Sequence, residues 1–196
     1  MKKMVVASGN KAQLREIAQI FADVTIVSMQ EAGFTGGIEE TGSTFEENAL
    51  IKARAVCDAL GIPALADDSG LCVDALGGAP GVHSARFCGR HGDDAANNAL
   101  LLEKLASVPE KERGAYFESC VAVCFPDGSA ITASGRTYGR ILFAEEGTEG
   151  FGYDPLFYSD ELSKSFGMSS AEEKNSVSHR AKALAALREK LKGVLA

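Results

Sequence analysis

The chain has 196 residues, of which 45% are hydrophobic and 24% are charged, and its formal net charge is −7. This length and composition fit one globular domain, or one domain with a small lobe, that buries a sizeable core. The net negative charge argues against a protein that binds along a nucleic-acid backbone. It is compatible with a nucleotide substrate, because binding a nucleotide needs only a few local cations and a metal.

The cysteines and the lengths of the apolar runs indicate in which cellular compartment the protein is expected. The five cysteines include no C-x-x-C pair, so neither a disulfide framework nor a zinc site is indicated. No apolar run has the length of a signal-peptide core or of a transmembrane helix. We therefore expect a cytoplasmic protein with buried thiols and no membrane partner.

A short apolar strand, a glycine turn and a helix open the chain. Residues 4–7 predict a buried strand, Ser8-Gly9-Asn10 a turn, and residues 11–22 a helix. This arrangement aims free backbone N–H groups at an anion, and Ser8 and Asn10 add side-chain donors. Many α/β proteins begin in the same way without binding phosphate, so the motif alone leaves both interpretations open.

A polar, glycine-rich loop carrying Glu40 comes before the second helix. Thr44 and Glu47 have the spacing of a capping box and predict a helix that runs to about residue 60. Lys52 lies beside the apolar face of this helix and can point to either side. An exposed lysine is the ordinary alternative there.

Two adjacent carboxylates follow the next predicted strand. Residues 64–66 read as the end of that strand, Asp67 and Asp68 come directly after it, and Ser69-Gly70 is expected to turn the chain. Adjacent acids repel each other unless a cation offsets them, and carboxylate oxygens suit Mg²⁺ bound to phosphates. The alternative is a solvated turn, since Asp, Ser and Gly are all common turn residues.

The second half of the chain predicts a helix, a hairpin and a loop with aromatic residues. The helix begins at Asp93 or Asp94, and the hairpin pairs residues 115–125 with 129–138. Phe151 and Tyr153 lie between glycines in the loop. Because aromatic rings flanked by glycine are poor core material, we expect both to offer a surface to a flat ligand.

The last predicted helix begins near Ser178 and has His179 and Arg180 in its first turn. A cation at this end opposes the helix dipole, which hints at a ligand; a solvated arginine is the alternative. The alternation of strands and helices indicates an α/β fold with a mixed sheet, in which ligands bind beyond the carboxyl ends of strands. Stacking aromatics, arginine donors and paired acids then favour a nucleoside phosphate.

Eight strings strengthen that interpretation. In chain order they are Ser8-Gly-Asn10, Glu39-Glu-Thr-Gly42, Thr44-Phe-x-x-Asn48-Ala49, Ala66-Asp-Asp-Ser-Gly-Leu71, Val73-Asp-Ala-Leu-Gly-Gly-Ala-Pro-Gly81, Ser84-Ala-Arg86, Gly150-Phe-Gly-Tyr-Asp-Pro155 and Ser178-His-Arg180. Together they closely resemble the inosine/xanthosine triphosphate pyrophosphatase family of bacterial type, over nearly the whole chain.

The resemblance implies an enzyme that hydrolyses ITP, dITP or XTP to the monophosphate and pyrophosphate, which keeps these bases out of DNA and RNA. It implies dependence on Mg²⁺, with Mn²⁺ as a substitute, and a homodimer. The implied fold is α/β, a mixed twisted sheet with flanking helices, in a single domain over residues 1–196 with two lobes around a long central cleft.

The resemblance also assigns residues. Asp68 matches the catalytic carboxylate and metal ligand, Glu40 is a second metal ligand, and Asp67 is a supporting neighbour. The implied substrate contacts are Ser8, Gly9, Asn10, Lys11, Ala12, Gln13, Lys52, Ser69, Phe151, Gly152, Tyr153, Asp154, Lys174, His179 and Arg180.

One position departs from the family pattern. Its first motif reads Thr/Ser-Gly-Asn-x-x-Lys, and here Gln13 takes the place of the lysine that grips phosphate. Lys11 lies about 200° away around the helix and is a poor substitute. We therefore expect weaker phosphate binding. A non-catalytic nucleotide-binding module and a phosphatase that removes the terminal phosphate stay open as alternatives.

Overall fold

The computed structural model describes residues 3–195, except for the side chains of Ala12 and Leu195. The strands are β1 (Lys3–Val6), β2 (Thr25–Ser28), β3 (Ala64–Val73), β4 (Gly114–Cys124), β5 (Ala130–Ile141), β6 (Phe157–Ser159) and β7 (Lys164–Ser165). The α-helices are α1 (Lys11–Ile20), α2 (Phe45–Leu60), α3 (Asp94–Lys104), α4 (Ala171–Val177) and α5 (His179–Leu195).

The strands form one mixed sheet in the order β2-β1-β3-β4-β5-β6-β7. Strand β1 is parallel to both β2 and β3, whereas β6 is antiparallel to both β5 and β7. This confirms the predicted α/β class and mixed sheet. The predicted hairpin is also present, as β4 and β5.

The predicted turn at Ser69 and Gly70 is wrong. Strand β3 continues through both residues to Val73. Strand β1 pairs with β3 only at Ala64 and Leu65, so the neighbour that remains for this part of β3 in the sheet is β4. Pairing with a strand distant in the sequence outweighs the turn preference of the local residues. Side chains alternate along a strand, so Asp67 and Asp68 project from opposite faces of the sheet.

Helix α2 has the capping box that the sequence predicts. Thr44 Oγ1 accepts a hydrogen bond from the Glu47 N–H at 3.1 Å, and Glu47 Oε2 accepts one from the Thr44 N–H at 3.2 Å. Gly61 ends the helix in a left-handed conformation with φ 64°. These two ends fix the register of Asn48 and Lys52 on the helix.

The described chain divides into two compact units. The first takes the chain up to Asp68, then Ser119–Gly135, and the chain from Arg180 onward. It holds two cores that lie on opposite faces of its strands: Met4 and Leu65 enter one core, while Val5 and Ala66 enter the other. The alternation that separates these cores also separates Asp67 from Asp68.

The second unit comprises Ser69–Glu118 and Arg136–His179. Its core joins Leu71 and Val73 of β3 to Leu101 and Leu105 of α3 and to aromatic residues that include Phe157. Within residues 3–195, no helix is long and apolar enough to cross a membrane.

Candidate active site

The loop between β1 and α1 is organised by its own polar side chains. The backbone N–H of Asn10 donates to Ser8 Oγ at 3.1 Å, and the N–H of Gln13 donates to Asn10 Oδ1 at 3.3 Å. Gln13 Oε1 accepts a hydrogen bond from the Ser8 hydroxyl at 2.5 Å. Gly9 and Lys11 are exposed. The turn therefore opens α1 with donors held in a fixed arrangement.

Asp67 connects α1 to α5. One of its oxygens, Oδ1, accepts a hydrogen bond from the side-chain amide of Gln13, and Oδ2 accepts one from Arg180 Nε at 2.9 Å. The Asp67 side chain is only 8% exposed. Gln13 thus occupies a buried position beside a carboxylate, where a lysine would form an ion pair.

Asp68 faces α2 and forms a second, separate group. Lys52 Nζ lies 3.1 Å from Asp68 Oδ1 and also 3.1 Å from Glu40 Oε2. The side chains of Lys52 and Asp68 are 15% and 14% exposed, and that of Glu40 is 35% exposed. Two carboxylates therefore converge on one cation beside the middle of β3.

Asn48 completes this group. Its Nδ2 donates to Asp68 Oδ2 at 3.1 Å, and its Oδ1 accepts a hydrogen bond from the Gly42 N–H at 2.8 Å. Asn48 is 1% exposed. A Cβ on Gly42 would lie only 2.6 Å from Asn48 Oδ1, so this loop position requires glycine. Asn48 consequently ties the acidic loop to Asp68.

Burial and charge act in opposite directions on this group. Burial raises the pKa of Asp68, and the Lys52 ammonium and the Asn48 amide only partly offset that effect. Burial by itself lowers the pKa of Lys52, but the Asp68 and Glu40 carboxylates outweigh it, so that the Lys52 pKa is raised. The ammonium thus stays charged and holds the two acids together.

The donor set fits a hard divalent cation. Among the described residues, no group of three or more His, Cys, Asp or Glu side chains is arranged to hold a metal. Mg²⁺ does not need such a group, because it commonly uses one or two carboxylates together with waters and substrate phosphates. Asp68 and Glu40 both contact Lys52 Nζ, so these two oxygen donors lie close enough to share one cation.

The second unit holds the aromatic loop. Phe151 is 66% exposed, and its N–H donates to Asp154 Oδ2 at 2.9 Å. Lys174 Nζ lies 2.5 Å from the same carboxylate oxygen and 4.6 Å from the centroid of the Phe151 ring. Asp154 is 2% exposed. This buried carboxylate therefore fixes both the loop backbone and the lysine.

The prediction that both aromatic rings of this loop face a ligand is wrong for Tyr153. It is 4% exposed and belongs to the core of the second unit. Its hydroxyl donates to the Ser84 carbonyl at 2.7 Å, so the ring is buried without leaving its polar atom unsatisfied. Burial, with a contribution from Asp94, raises the Tyr153 pKa. Of the two rings, only that of Phe151 is exposed.

His179 is also placed in the second unit. It is 7% exposed, and its ring stacks on Phe117 with centroids 5.0 Å apart and an interplanar angle of 15°. Ser69, another predicted contact in this unit, lies half-buried in β3 directly after Asp68.

Comparison with known proteins shows the family of the chain. The model of the Ham1 family matches residues 4–190. The chain belongs to the Ham1 family. A dITP/XTP pyrophosphatase of Geobacter sulfurreducens is 50% identical over 193 residues, covering 97% of each chain. One of Clostridium perfringens is 47% identical over 204 residues, covering 100% of each chain.

Solved structures of the Ham1 family share the fold. The Staphylococcus aureus Ham1 protein superposes with a TM-score of 0.92 at 39% identity, covering 98% of this chain and 100% of that one. A Mycobacterium abscessus structure described as a nucleoside-triphosphatase / dITP/XTP pyrophosphatase has a TM-score of 0.82 at 46% identity, covering 94% and 98%.

In this Ham1 chain the predicted residues fall into three groups. The first unit brings Ser8, Asn10, Gln13 and Arg180 together around Asp67. It separately brings Lys52 and Glu40 to Asp68. The second unit contains the remaining predicted contacts, which are Ser69, Phe151, Gly152, Tyr153, Asp154, Lys174 and His179. Lys174 contacts Asp154 there, and its predicted contact with triphosphate stays a prediction, as do the other substrate contacts. The side chain of Ala12 lies outside the described part of the chain.

Sequence reasoning missed Asn48. It lies in one of the strings quoted above, but we assigned it no role. The available signal was its spacing of four residues from Lys52, which places both polar side chains on one face of α2.

Proposed function

We propose that this protein hydrolyses dITP, ITP and XTP to the nucleoside monophosphate and pyrophosphate, and so removes non-standard purines from the nucleotide pool. Relatives named as dITP/XTP pyrophosphatases are up to 50% identical over nearly the whole chain. The structural observation that carries the proposal is the convergence of Asp68 and Glu40 on Lys52 Nζ.

The same carboxylates are the proposed metal ligands. Asp68 and Glu40 would hold Mg²⁺, with Mn²⁺ as a substitute, because both are hard oxygen donors that already share one cation. When bound, the metal supplies Lewis acidity and a template for the phosphates.

We assign the chemistry to Asp68. The reaction requires water to attack a phosphorus of the triphosphate. Attack on the α- or on the β-phosphorus would release pyrophosphate, and we propose the α-phosphorus. Asp68 holds that water and takes its proton. Asn48 and Lys52 keep the carboxylate in one orientation.

The loop before α1 is the proposed triphosphate ligand of the first unit. Ser8, Gly9, Asn10, Lys11 and Ala12 supply backbone or side-chain donors at the start of the helix. Gln13 adds an amide donor but no charge. Since its amide already bonds to Asp67, we expect its contact with phosphate to be weaker than that of a lysine.

We assign recognition of the purine base to the ring of Phe151 and to the guanidinium of Arg180. The exposed ring of Phe151 suits stacking with a purine. Hypoxanthine and xanthine present O6 and N7 as paired acceptors, which the Arg180 guanidinium matches. Adenine presents an amino donor at position 6 and leaves those arginine donors unpaired, so it is rejected. Lys52, Ser69, Tyr153, Asp154, Lys174 and His179 remain proposed substrate contacts.

We further propose a cytoplasmic homodimer that binds neither nucleic acid nor membrane. The net charge of −7 disfavours a nucleic-acid surface, and the described cysteines form no disulfide. Sedimentation at two protein concentrations tests the dimer.

One assay separates this function from its alternatives. Purified protein with Mg²⁺ is given ITP, GTP or ATP, and orthophosphate is measured with and without added inorganic pyrophosphatase. The proposed function predicts orthophosphate only after that addition, with ITP strongly preferred. A terminal phosphatase releases orthophosphate directly, and a binding module releases nothing.

A further inference from the structure

Two side chains of α3 form hydrogen bonds with the backbone of Gly152, one with its N–H and one with its carbonyl. Asp94 Oδ2 accepts a hydrogen bond from the Gly152 N–H at 2.8 Å. Asn98 Nδ2 donates to the Gly152 carbonyl at 3.1 Å. Asp94 and Asn98 are four residues apart and therefore project from the same face of α3, so one turn of the helix supplies both hydrogen bonds to Gly152.

The surroundings of Asn98 fix the direction of its amide. Nδ2 also donates to Glu145 Oε1 at 2.9 Å. Both partners, a carbonyl and a carboxylate, are acceptors, so a reversed amide would place oxygen against oxygen. Asn98 is 4% exposed. A hydrogen bond made away from water is stronger, and so Asn98 is a rigid support for the loop.

The held glycine sits next to the exposed ring of Phe151. Gly152 has φ +61°, a left-handed conformation that glycine adopts without strain. The same freedom would let an unsupported loop adopt many conformations. Asp94 and Asn98 remove that freedom on one side of Phe151. A surface fixed before the ligand arrives loses less entropy on binding.

We propose that Asp94 and Asn98 are positioning residues that hold the Phe151 loop in place for the purine of the substrate. The proposal rests on the base-binding role of Phe151 given under the proposed function. Neither residue needs to touch the nucleotide, since both act through Gly152. Their effect falls on base affinity and base selectivity, and not on the handling of the triphosphate.

The test compares variants that keep or lose each hydrogen bond. Asp94→Ala removes the acceptor at an exposed site, and Asp94→Asn retains an acceptor oxygen. Asn98→Asp replaces the donor with an acceptor at nearly the same size. Glu103→Gln, an exposed change on the same helix, is the matched control. Each variant is assayed for kcat and KM with ITP, and for inhibition by inorganic tripolyphosphate, which has no base.

We expect Asn98→Asp to raise the KM for ITP by about tenfold, as the loss of one buried hydrogen bond predicts. Asp94→Ala removes an exposed hydrogen bond and should raise the KM by a smaller factor of about two to five. Both variants should leave kcat and the tripolyphosphate inhibition constant nearly unchanged. Asp94→Asn should restore most of the affinity. An unchanged KM in folded Asp94→Ala overturns the proposal, as does a parallel loss of tripolyphosphate binding. Phe151→Ala distinguishes a failure of the positioning role from a failure of the proposed base-binding role. If Phe151→Ala leaves the KM for ITP unchanged, Phe151 does not bind the base, and the base-binding role itself is wrong.

Discussion

Asp67 and Asp68 are neighbours in the sequence, but they project from opposite faces of β3 and have different partners. Asp67 bonds to Gln13 and Arg180, whereas Asp68 meets Lys52. Electrostatic repulsion between adjacent acids was the reason for expecting a metal there. The structure instead gives each carboxylate its own cation, so the two residues have separable roles.

Substituting each aspartate in turn tests this separation. Asp68→Asn should lower kcat by a factor of about 10²–10⁴, the usual contribution of a general base, while nucleotide binding persists. Asp67→Asn should keep most of kcat but raise the KM for ITP, because an amide nitrogen then faces Arg180 or Gln13. Steady-state kinetics and equilibrium binding of ITP measure both effects. Near-normal turnover by Asp68→Asn assigns the base role to another residue.

Restoring the family lysine tests the importance of charge at position 13. Gln13→Lys should raise kcat/KM for ITP by about tenfold or more, because a charge-assisted bond to phosphate is stronger than a neutral one. Gln13→Met, uncharged and of similar length, is the control and should not raise it. Equal kcat/KM values for Gln13→Lys and the wild-type protein contradict this prediction.

Asn48→Asp isolates the hydrogen bond to Asp68. The new carboxylate can still accept from the Gly42 N–H, but it no longer donates to Asp68 and adds a like charge beside it. We expect kcat to fall by about tenfold or more, since Asp68 loses its orientation and its anionic form is disfavoured. Thermal unfolding checks that the variant is folded. Full activity in a folded Asn48→Asp shows that Asn48 only shapes the loop.

Removal of the metal tests the proposal that the Asp68 and Glu40 carboxylates bind Mg²⁺. Chelation should abolish turnover, and Mg²⁺ should restore it, with Mn²⁺ as a weaker or equal replacement. Glu40→Gln should raise the Mg²⁺ concentration needed for half-maximal activity, because one of the two anionic ligands becomes neutral. A titration of activity against Mg²⁺ measures this shift. An unchanged half-maximal concentration removes Glu40 from the metal site.

Local signals in the sequence predicted much of this molecule. The capping box of α2, the first α/β segment and the β4–β5 hairpin were predictable because side-chain spacing and turn chemistry decide them. The strand through Ser69 and Gly70 was not, since pairing with distant strands overrides the preference of residues that favour turns.

The site was predictable only in part for the same reason. The family resemblance predicted roles for Asp68, Glu40 and Lys52, and the structure places these three side chains in contact. The strings that carry the resemblance did not reveal that Tyr153 is buried, because its hydroxyl is satisfied by Ser84, which lies far away in the sequence. Nor did they reveal Asn48 or the Asp94–Asn98 contacts with Gly152, which depend on how helices meet loops.

The most direct test of the proposed reaction is hydrolysis of ITP with Mg²⁺ in oxygen-18-labelled water, with mass spectrometry of the products. Attack of water on the α-phosphorus predicts one labelled oxygen in the inosine monophosphate and unlabelled pyrophosphate, and the label should appear far more slowly with Asp68→Asn. Label in the pyrophosphate, or inosine diphosphate with labelled orthophosphate, would contradict the account.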